Sequence, residues 1–305
     1  MGKTYTIRSN RLTAIWDPDG ARLRSLSLDG GPNMVLDVDD AVSGRLRDAY
    51  AGTIVGPLAN RVRGGTVPLN GATYQMPCNE DGITALHSGP HGLDRATWTV
   101  AAQDRSALHF THQLPDGYGG LPGHRDIDLW CDVMNDTLTL RITLTTDAPT
   151  PVSIAHHPYW RVTPDHLLQI NAAHYLTTDD TNLPTGQIAP VADTPFDHRM
   201  PRAIDTATDH NFCIATARRD RPHAVAMLIT RDHILHIAST EPGLQAYSGA
   251  FLPDIPATNV APLAGIALEP QGWPDAVNNP EFPSVICTPD HPYSQTTEYK
   301  VQSAT

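Results

Sequence analysis

The amino-acid sequence predicts an all-β protein, built as a large twisted antiparallel β-sandwich. Apolar and polar residues alternate with period two in several runs, and no window keeps the helical spacing of apolar residues for three turns. Turn-forming pairs such as Asp19-Gly20 and Asn70-Gly71 separate these runs. Charged residues make up only 18% of the 305 residues and 27 are proline, a composition that disfavours long surface helices.

The clearest alternation lies in residues 126–133 and 137–145, which flank a short Asn-Asp connection. Two such runs around a short turn are typical of an antiparallel hairpin with one buried face. The same pattern predicts a second hairpin from His223–Ile229 and His233–Ala238, and a fainter strand at Ala107–Leu114.

The chain shows no low-complexity linker, no shift in composition and no repeat of fixed period. All-β domains often reach ~200–250 residues or more as one unit. We therefore expect residues 1–305 to form a single domain.

Composition also excludes several classes of protein. The formal charge of 21 − 33 = −12 argues against nucleic-acid binding, because counterion release needs a basic face. No apolar run approaches the ~18 residues of a membrane span, and the N-terminus lacks the apolar stretch of a signal peptide. The four cysteines (Cys78, Cys131, Cys213 and Cys287) are far apart, which predicts reduced thiols in a cytoplasmic protein.

Polar residues that break the alternation are concentrated in five segments. These are residues 56–65, 86–94, 154–160, 208–212 and 268–275. Loops with such residues are where chemistry is most often placed, so these segments contain the candidate site.

The adjacent histidines His156 and His157 suggest a metal site at first. Neighbours on a strand point to opposite faces, so the two imidazoles cannot bind one ion together, and we predict no metal. One of them facing a cleft is the better interpretation, since an ordinary imidazole exchanges protons near pH ~6.5.

Glu269 follows the apolar run 264–268, and a carboxylate ending a buried strand acquires the raised pKa that suits a general base. A Glu exposed at a strand end is the alternative for a single residue. Glu269 and Asp209 also leave a glycosidase open, because that reaction uses two carboxylates. Nucleotide-binding and nucleophile-elbow motifs are absent, so we expect no cofactor.

Taken in order, these segments resemble the aldose 1-epimerase (galactose mutarotase) family. Seven motifs occur in the family's order and cover nearly the whole chain. They are Asn60-Arg61, Leu86-His87-Ser88-Gly89 with Leu93-Asp94 and Trp98, His156-His157-Pro158-Tyr159-Trp160, Pro184-Thr185-Gly186, Asp209-His210-Asn211-Phe212, Glu241-Pro242-Gly243-Leu244-Gln245, and Glu269 with Gln271, Pro274, Asp275 and Asn278. Three departures, Pro57, Ser88 and His156, lie next to the candidate site, and we expect them to affect the preferred sugar more than the reaction.

The resemblance implies a galactose mutarotase-like supersandwich and an isomerase that interconverts the α and β anomers of a free aldose. It implies a small-molecule sugar as the substrate, no cofactor, and a monomer or homodimer. General acid–base ring opening and reclosure performs the reaction, and each positioned group contributes roughly 10²–10⁴ in rate.

The resemblance also implies roles for single residues. Glu269 acts as the base at the C1 hydroxyl, His157 acts as the acid at the ring oxygen, and His87 assists there. Sugar-binding residues are Arg61, Asp209, Asn60 and Gln271. A carboxylate limb on the acid side and an imidazole limb on the alkaline side are then expected in the pH profile.

Two other functions stay open at this point. A hexose-6-phosphate epimerase needs a basic cluster for the phosphate, and Arg61 and Arg63 are the candidates for that cluster. A carbohydrate-binding sandwich that has lost its chemistry is the second, because a fold does not dictate function. Trp160 and Trp273 are equally suited to stacking on a sugar ring and to the core.

Overall fold

The computed structural model describes residues 3–37, 43–206, 208–256 and 258–304. Strands account for 49% of the chain and helices for 5%, which confirms the all-β prediction. Among the described residues, no helix is long and apolar enough to cross a membrane.

In chain order the strands are β1 (Tyr5–Arg8), β2 (Leu12–Asp17), β3 (Arg22–Leu28), β4 (Ile54–Val55), β5 (Arg61–Arg63), β6 (Thr66–Leu69), β7 (Ala72–Gln75), β8 (Thr84–Leu86), β9 (Thr99–Gln103), β10 (Ala107–Leu114), β11 (Arg125–Met134), β12 (Thr137–Thr146), β13 (Thr150–Pro151), β14 (Ala155–His156), β15 (Tyr159–Arg161), β16 (Leu167–Ile170), β17 (His174–Thr178), β18 (Pro184–Pro190), β19 (Arg202–Ala203), β20 (Asp209–Cys213), β21 (His223–Ile229), β22 (His233–Ser239), β23 (Gly243–Tyr247), β24 (Gly265–Gln271), β25 (Ile286–Cys287) and β26 (Tyr293–Ser303). Within the described parts of the chain there is one α-helix, α1 (Ser43–Arg47), and 3₁₀ turns occur at Gly89–His91, Leu93–Arg95, Tyr118–Gly120 and Ala276–Asn278.

A nine-stranded sheet forms one layer, in the order β19-β16-β21-β22-β26-β12-β11-β10-β9. It contains the two predicted hairpins, β11–β12 and β21–β22, both antiparallel, and the predicted strand β10. The C-terminal strand β26 pairs with both β12 and β22, so it joins the hairpins into one sheet.

A six-stranded antiparallel sheet, in the order β15-β24-β23-β20-β17-β18, forms the second layer. Apolar side chains of both sheets make one buried cluster, to which the nine-stranded sheet contributes Leu129 and Leu140 and the six-stranded sheet contributes Phe212, Leu244 and Leu268. This shared core is the packing expected of a sandwich.

The alternation of side chains along the six-stranded sheet positions the candidate site. Phe212, Leu244 and Leu268 point into the core, and side chains next to them in sequence point to the other face. Glu269 and Gln245 are therefore on the outer face, where loops cover them, most of which come from the first third of the chain.

Candidate active site

A cavity of about 590 Å³ lies on this outer face, within the range of ~300–1,000 Å³ typical of small-molecule sites. The six-stranded sheet supplies Tyr159, Asp209, Gln245, Tyr247 and Glu269. The covering segments supply the other lining residues, which are Arg45, Asp48, Ala49, Tyr50, Asn60, Arg61, Glu80, Leu86, His87, His157, Asn182, Phe251 and Pro253.

Strand register brings the polar side chains of the floor together. Gln245 on β23 lies directly opposite Glu269 on β24, and Asp209 on β20 lies opposite Tyr247 on β23. Side chains of directly paired residues are neighbours on one face. Three strands distant in sequence thus place an amide and two carboxyl groups in one patch.

His87 enters from the covering wall at the end of β8, in a left-handed backbone conformation with φ of 51°. This conformation costs a non-glycine residue about 1 kcal/mol or more. Two hydrogen bonds with the backbone of Asn60 hold it. The His87 N–H donates to the Asn60 carbonyl (3.0 Å), and the Asn60 N–H donates to the ring Nδ1 of His87 (3.1 Å). Because Nδ1 accepts a hydrogen bond, the neutral ring carries its proton on Nε2.

His156 and His157 point in opposite directions, as the alternation predicts. His156 faces the core, where its Nδ1 lies 3.1 Å from the hydroxyl of Tyr299 and its ring contacts Trp16. His157 faces the cavity, and its Nε2 lies 3.4 Å from Oε1 of Glu269. The two imidazoles thus belong to different parts of the molecule.

His87, His157 and Glu269, which we call the titratable cluster, are all buried. Burial raises the pKa of Glu269 well above its usual value and lowers that of His157 to about 4. Burial also lowers the pKa of His87 well below its usual value, and the neighbouring His157 and Arg61 add to this. The cluster therefore favours uncharged forms, with one proton shared between Glu269 and His157.

Arg61, Glu80, Asp209 and Gln245 form a second group, the Arg61 network. Arg61 donates two hydrogen bonds to Glu80, Nε to Oε2 at 2.8 Å and Nη2 to Oε1 at 2.9 Å. Its Nη1 lies 3.8 Å from Oδ2 of Asp209, and Gln245 donates to Oδ1 of Asp209 at 2.7 Å. Burial opposes the charge on Arg61, but the two carboxylates outweigh it and raise the pKa of the guanidinium.

The titratable cluster also has the composition of a metal site, because one donor atom from each member lies within 4.8 Å of the others. His87 does not suit that role. An imidazole that binds a metal through one nitrogen keeps its proton on the other, and Nδ1 of His87 already accepts the Asn60 N–H. The arrangement suits proton exchange better than metal binding.

Several residues singled out in the sequence lie outside the cavity lining. Gln271 is fully buried two residues beyond Glu269, and its amide atoms have no hydrogen-bond partner among the described residues. Trp160 and Trp273 are buried, against Tyr299 and Phe282 respectively, so both serve the core.

The three departures from the family pattern, Pro57, Ser88 and His156, lie behind the cavity wall. None of them is among the described lining residues. Ser88 bonds the backbone of Leu58 through its hydroxyl, which accepts from the amide at 2.8 Å and donates to the carbonyl at 3.2 Å. These positions support the wall of the cavity and do not form its surface.

The sequence did not single out Tyr50, Glu80, Gln245, Tyr159 and Tyr247 as site residues, although all five line the cavity. Gln245 carried a signal, because it is polar between Leu244 and Ala246 in an otherwise apolar strand. For Tyr50 and Glu80, which lie in loops, no periodic pattern was available.

Comparisons with known proteins identify the family of the chain. A sequence model of the aldose 1-epimerase family matches residues 3–300. The rat galactose mutarotase is 32% identical over 277 residues, covering 85% of this chain and 80% of the relative. The aldose 1-epimerase of Escherichia coli K12 is 30% identical, covering 83% and 80%. A solved aldose epimerase homologue from C. elegans superimposes with a TM-score of 0.91, at 26% identity, over the whole of both chains. The chain belongs to the aldose 1-epimerase family.

Proposed function

We propose that the cavity interconverts the α and β anomers of a free aldose, with Glu269 as the general base and His157 as the general acid. The shared proton first passes from Glu269 to His157. Glu269 then removes the proton of the C1 hydroxyl while His157 protonates the ring oxygen, so the ring C1–O bond breaks and the open-chain aldehyde forms. Rotation about C1–C2 presents the other carbonyl face. The two groups then act in reverse, and the ring closes as the other anomer.

A single observation carries the assignment. The buried Oε2 of Glu269 has no hydrogen-bond partner among the described residues, while Oε1 lies 3.4 Å from His157. Glu269 thus offers one oxygen for a substrate hydroxyl and exchanges a proton with His157 through the other. A general base needs this freedom to accept a proton.

His87 assists as a hydrogen-bond donor. The backbone of Asn60 directs the proton of the neutral ring to Nε2, and burial keeps the ring uncharged by lowering its pKa. An uncharged donor near the ring oxygen stabilises the negative charge that develops there when the ring opens.

The Arg61 network holds sugar hydroxyls. The Nη1 of Arg61 and Oδ2 of Asp209 are 3.8 Å apart, too far for a direct hydrogen bond. A hydroxyl next to both groups accepts from the guanidinium and donates to the carboxylate. Gln245 contributes beside Asp209, and Asn60 contributes mainly by positioning His87.

The charges of the cavity disfavour a phosphorylated sugar. Arg61 is already paired with Glu80 and lies near Asp209. Arg63 lies close to Asp179 and Asp275 and donates to the carbonyl of Pro184. The two arginines that suggested a phosphate site are thus committed to carboxylates.

Polarimetry on freshly dissolved α-anomers of a dozen aldoses, with and without the protein, tests the proposal. We expect faster change of rotation for at least one free aldose. Acceleration for hexose 6-phosphates alone would instead support the phosphorylated substrate, and saturable binding without acceleration would support a carbohydrate-binding protein. Release of free sugar from glycosides would support a glycosidase.

The remaining parts of the proposal concern the whole molecule. A single domain is supported by the central place of β26 in a sheet that also contains β9. Four free cysteines are compatible with the cytoplasm.

The mechanism needs no cofactor, so chelator treatment should leave the rate unchanged. Size-exclusion chromatography distinguishes a monomer from a homodimer.

A further inference from the structure

We propose that Glu80 is a positioning residue, which acts on the sugar by fixing the guanidinium of Arg61. This inference rests on the proposed role of Arg61 in sugar binding. Glu80 comes from the turn before β8, whereas Arg61 begins β5, and these two short strands pair with each other. Neither the alternation of the sequence nor the family motifs indicated Glu80.

The contact between the two side chains is two-pronged. Both Glu80 oxygens accept from different nitrogens of Arg61, at 2.8 and 2.9 Å. Such a planar pair of charge-assisted hydrogen bonds is among the strongest and most directional in proteins. The fork leaves Nη1 facing Asp209, so Glu80 determines where the free N–H groups of Arg61 point.

Glu80 itself is held firmly. The backbone N–H groups of Asn79 and Glu80 both donate to the carbonyl of Thr84 (3.1 Å each), and the N–H of Thr84 donates back to the carbonyl of Glu80. The Asn79 side chain accepts from the N–H of Leu86 at 2.8 Å and donates to its carbonyl at 3.1 Å. The same turn thus supports Glu80 and the residue that precedes His87.

A direct contact of Glu80 with the sugar is the competing explanation, because Glu80 also lines the cavity. The two explanations differ in their dependence on Arg61. A positioning residue has no effect on the sugar once Arg61 is gone, whereas a direct contact keeps its effect. A double-mutant cycle separates them.

The experiment measures KM, kcat and the unfolding midpoint for the wild type, Glu80→Ala, Glu80→Gln, Arg61→Met and Glu80→Ala/Arg61→Met. The Kd of a 1,5-anhydro sugar, which lacks the C1 hydroxyl, is measured by calorimetry. We expect Glu80→Ala to raise KM and Kd about tenfold with kcat within about threefold. In the Arg61→Met background the same change should alter either constant less than about twofold.

Asp29→Asn is the matched control. Asp29 accepts a similar two-pronged set of hydrogen bonds from Arg11, at an exposed site outside the cavity lining. The substitution should leave KM unchanged. Equal effects of Glu80→Ala in both backgrounds, or a loss of kcat at constant KM, would overturn the positioning role. If the wild type accelerates no aldose, the proposed function fails, but the calorimetric cycle still tests the coupling. If Glu80→Ala does not fold, Glu80→Gln is placed in the same cycle.

Discussion

The titratable cluster and the Arg61 network are neighbours in one cavity, yet they satisfy their polar atoms in opposite ways. In the Arg61 network, Glu80 and Asp209 each accept short hydrogen bonds from protein groups. In the titratable cluster, the contact between His157 and Glu269 is 3.4 Å, and the second oxygen of Glu269 has no partner among the described residues.

This difference separates the groups that bind sugar hydroxyls from the groups that transfer protons. Carboxylates that accept short hydrogen bonds from protein groups are held in one orientation, which suits the recognition of hydroxyls. Buried groups without strong partners have pKa values shifted toward their uncharged forms and exchange protons easily. Substitutions in the cluster should therefore lower kcat, and those in the network should raise KM.

The largest effect is expected for Glu269→Gln, which keeps the shape of the side chain but removes the proton acceptor. We expect kcat to fall by roughly 10²–10⁴, and His157→Asn to do the same from the acid side. Initial rates by polarimetry, with unfolding midpoints as the check on folding, measure this.

Glu298→Gln, outside the cavity lining, is the control and should keep wild-type kcat. If Glu269→Gln keeps more than about a tenth of wild-type kcat, the base is another carboxylate. Asp209 would then be the first to test.

Two assignments of the acid and alkaline limbs give the same bell-shaped pH profile. The sequence suggested that the carboxylate limits the rate in acid and the imidazole in alkali. Burial reverses this order, since it lowers the pKa of His157 to about 4 and raises that of Glu269. The rate should fall about tenfold per pH unit below roughly pH 4, where the pair takes up a second proton, and again above the raised pKa of Glu269.

Nitrogen NMR of labelled histidine, with His157→Asn for assignment, reads the protonation of His157 directly. We expect a neutral His157 ring at pH 7. A cationic ring at that pH would restore the order suggested by the sequence.

Arg61→Met and Asp209→Asn should raise KM by about tenfold and lower kcat no more than that, because they act on hydroxyls held in the ground and transition states alike. Steady-state kinetics on the preferred aldose measures both constants. A fall in kcat at unchanged KM for either variant would assign that residue to proton transfer and not to sugar binding.

The smallest effect on catalysis is expected for His156→Asn, since His156 faces the core behind the cavity. We expect kcat to stay within about twofold of the wild type. The effect should appear in stability, because burial lowers the pKa of His156 to about 3. The unfolded chain binds a proton there below pH ~6.5 and the folded chain does not, so stability falls as the pH falls from 6.5 toward 3.

A buried histidine that stays neutral in the folded chain makes the free energy of unfolding fall by up to about 1.4 kcal/mol per pH unit as the pH decreases. Urea unfolding between pH 7 and 5 should show a flatter dependence for His156→Asn than for the wild type. An unchanged slope would mean that His156 is protonated in the folded state.

The sequence by itself determined the four strands of the two hairpins and their pairing, because the alternation of side chains is local. Residues 126–133 and 137–145 lie within β11 and β12, and β21 spans the predicted residues His223–Ile229. The same alternation separated His156 from His157. Collinear motifs led to the family, and Arg61, His87, His157, Asp209 and Glu269 are brought together in one cavity.

Only the tertiary structure decided which polar groups meet and what burial does to them. Gln245 joins Asp209 because β23 lies between β20 and β24, and Glu80 reaches Arg61 because β5 pairs with β8. Gln271 is excluded from the cavity lining, although it shares a motif and a strand with Glu269. The order of the pKa values of Glu269 and His157 depends on desolvation, which arises from residues far apart in the sequence, so no local pattern contains it.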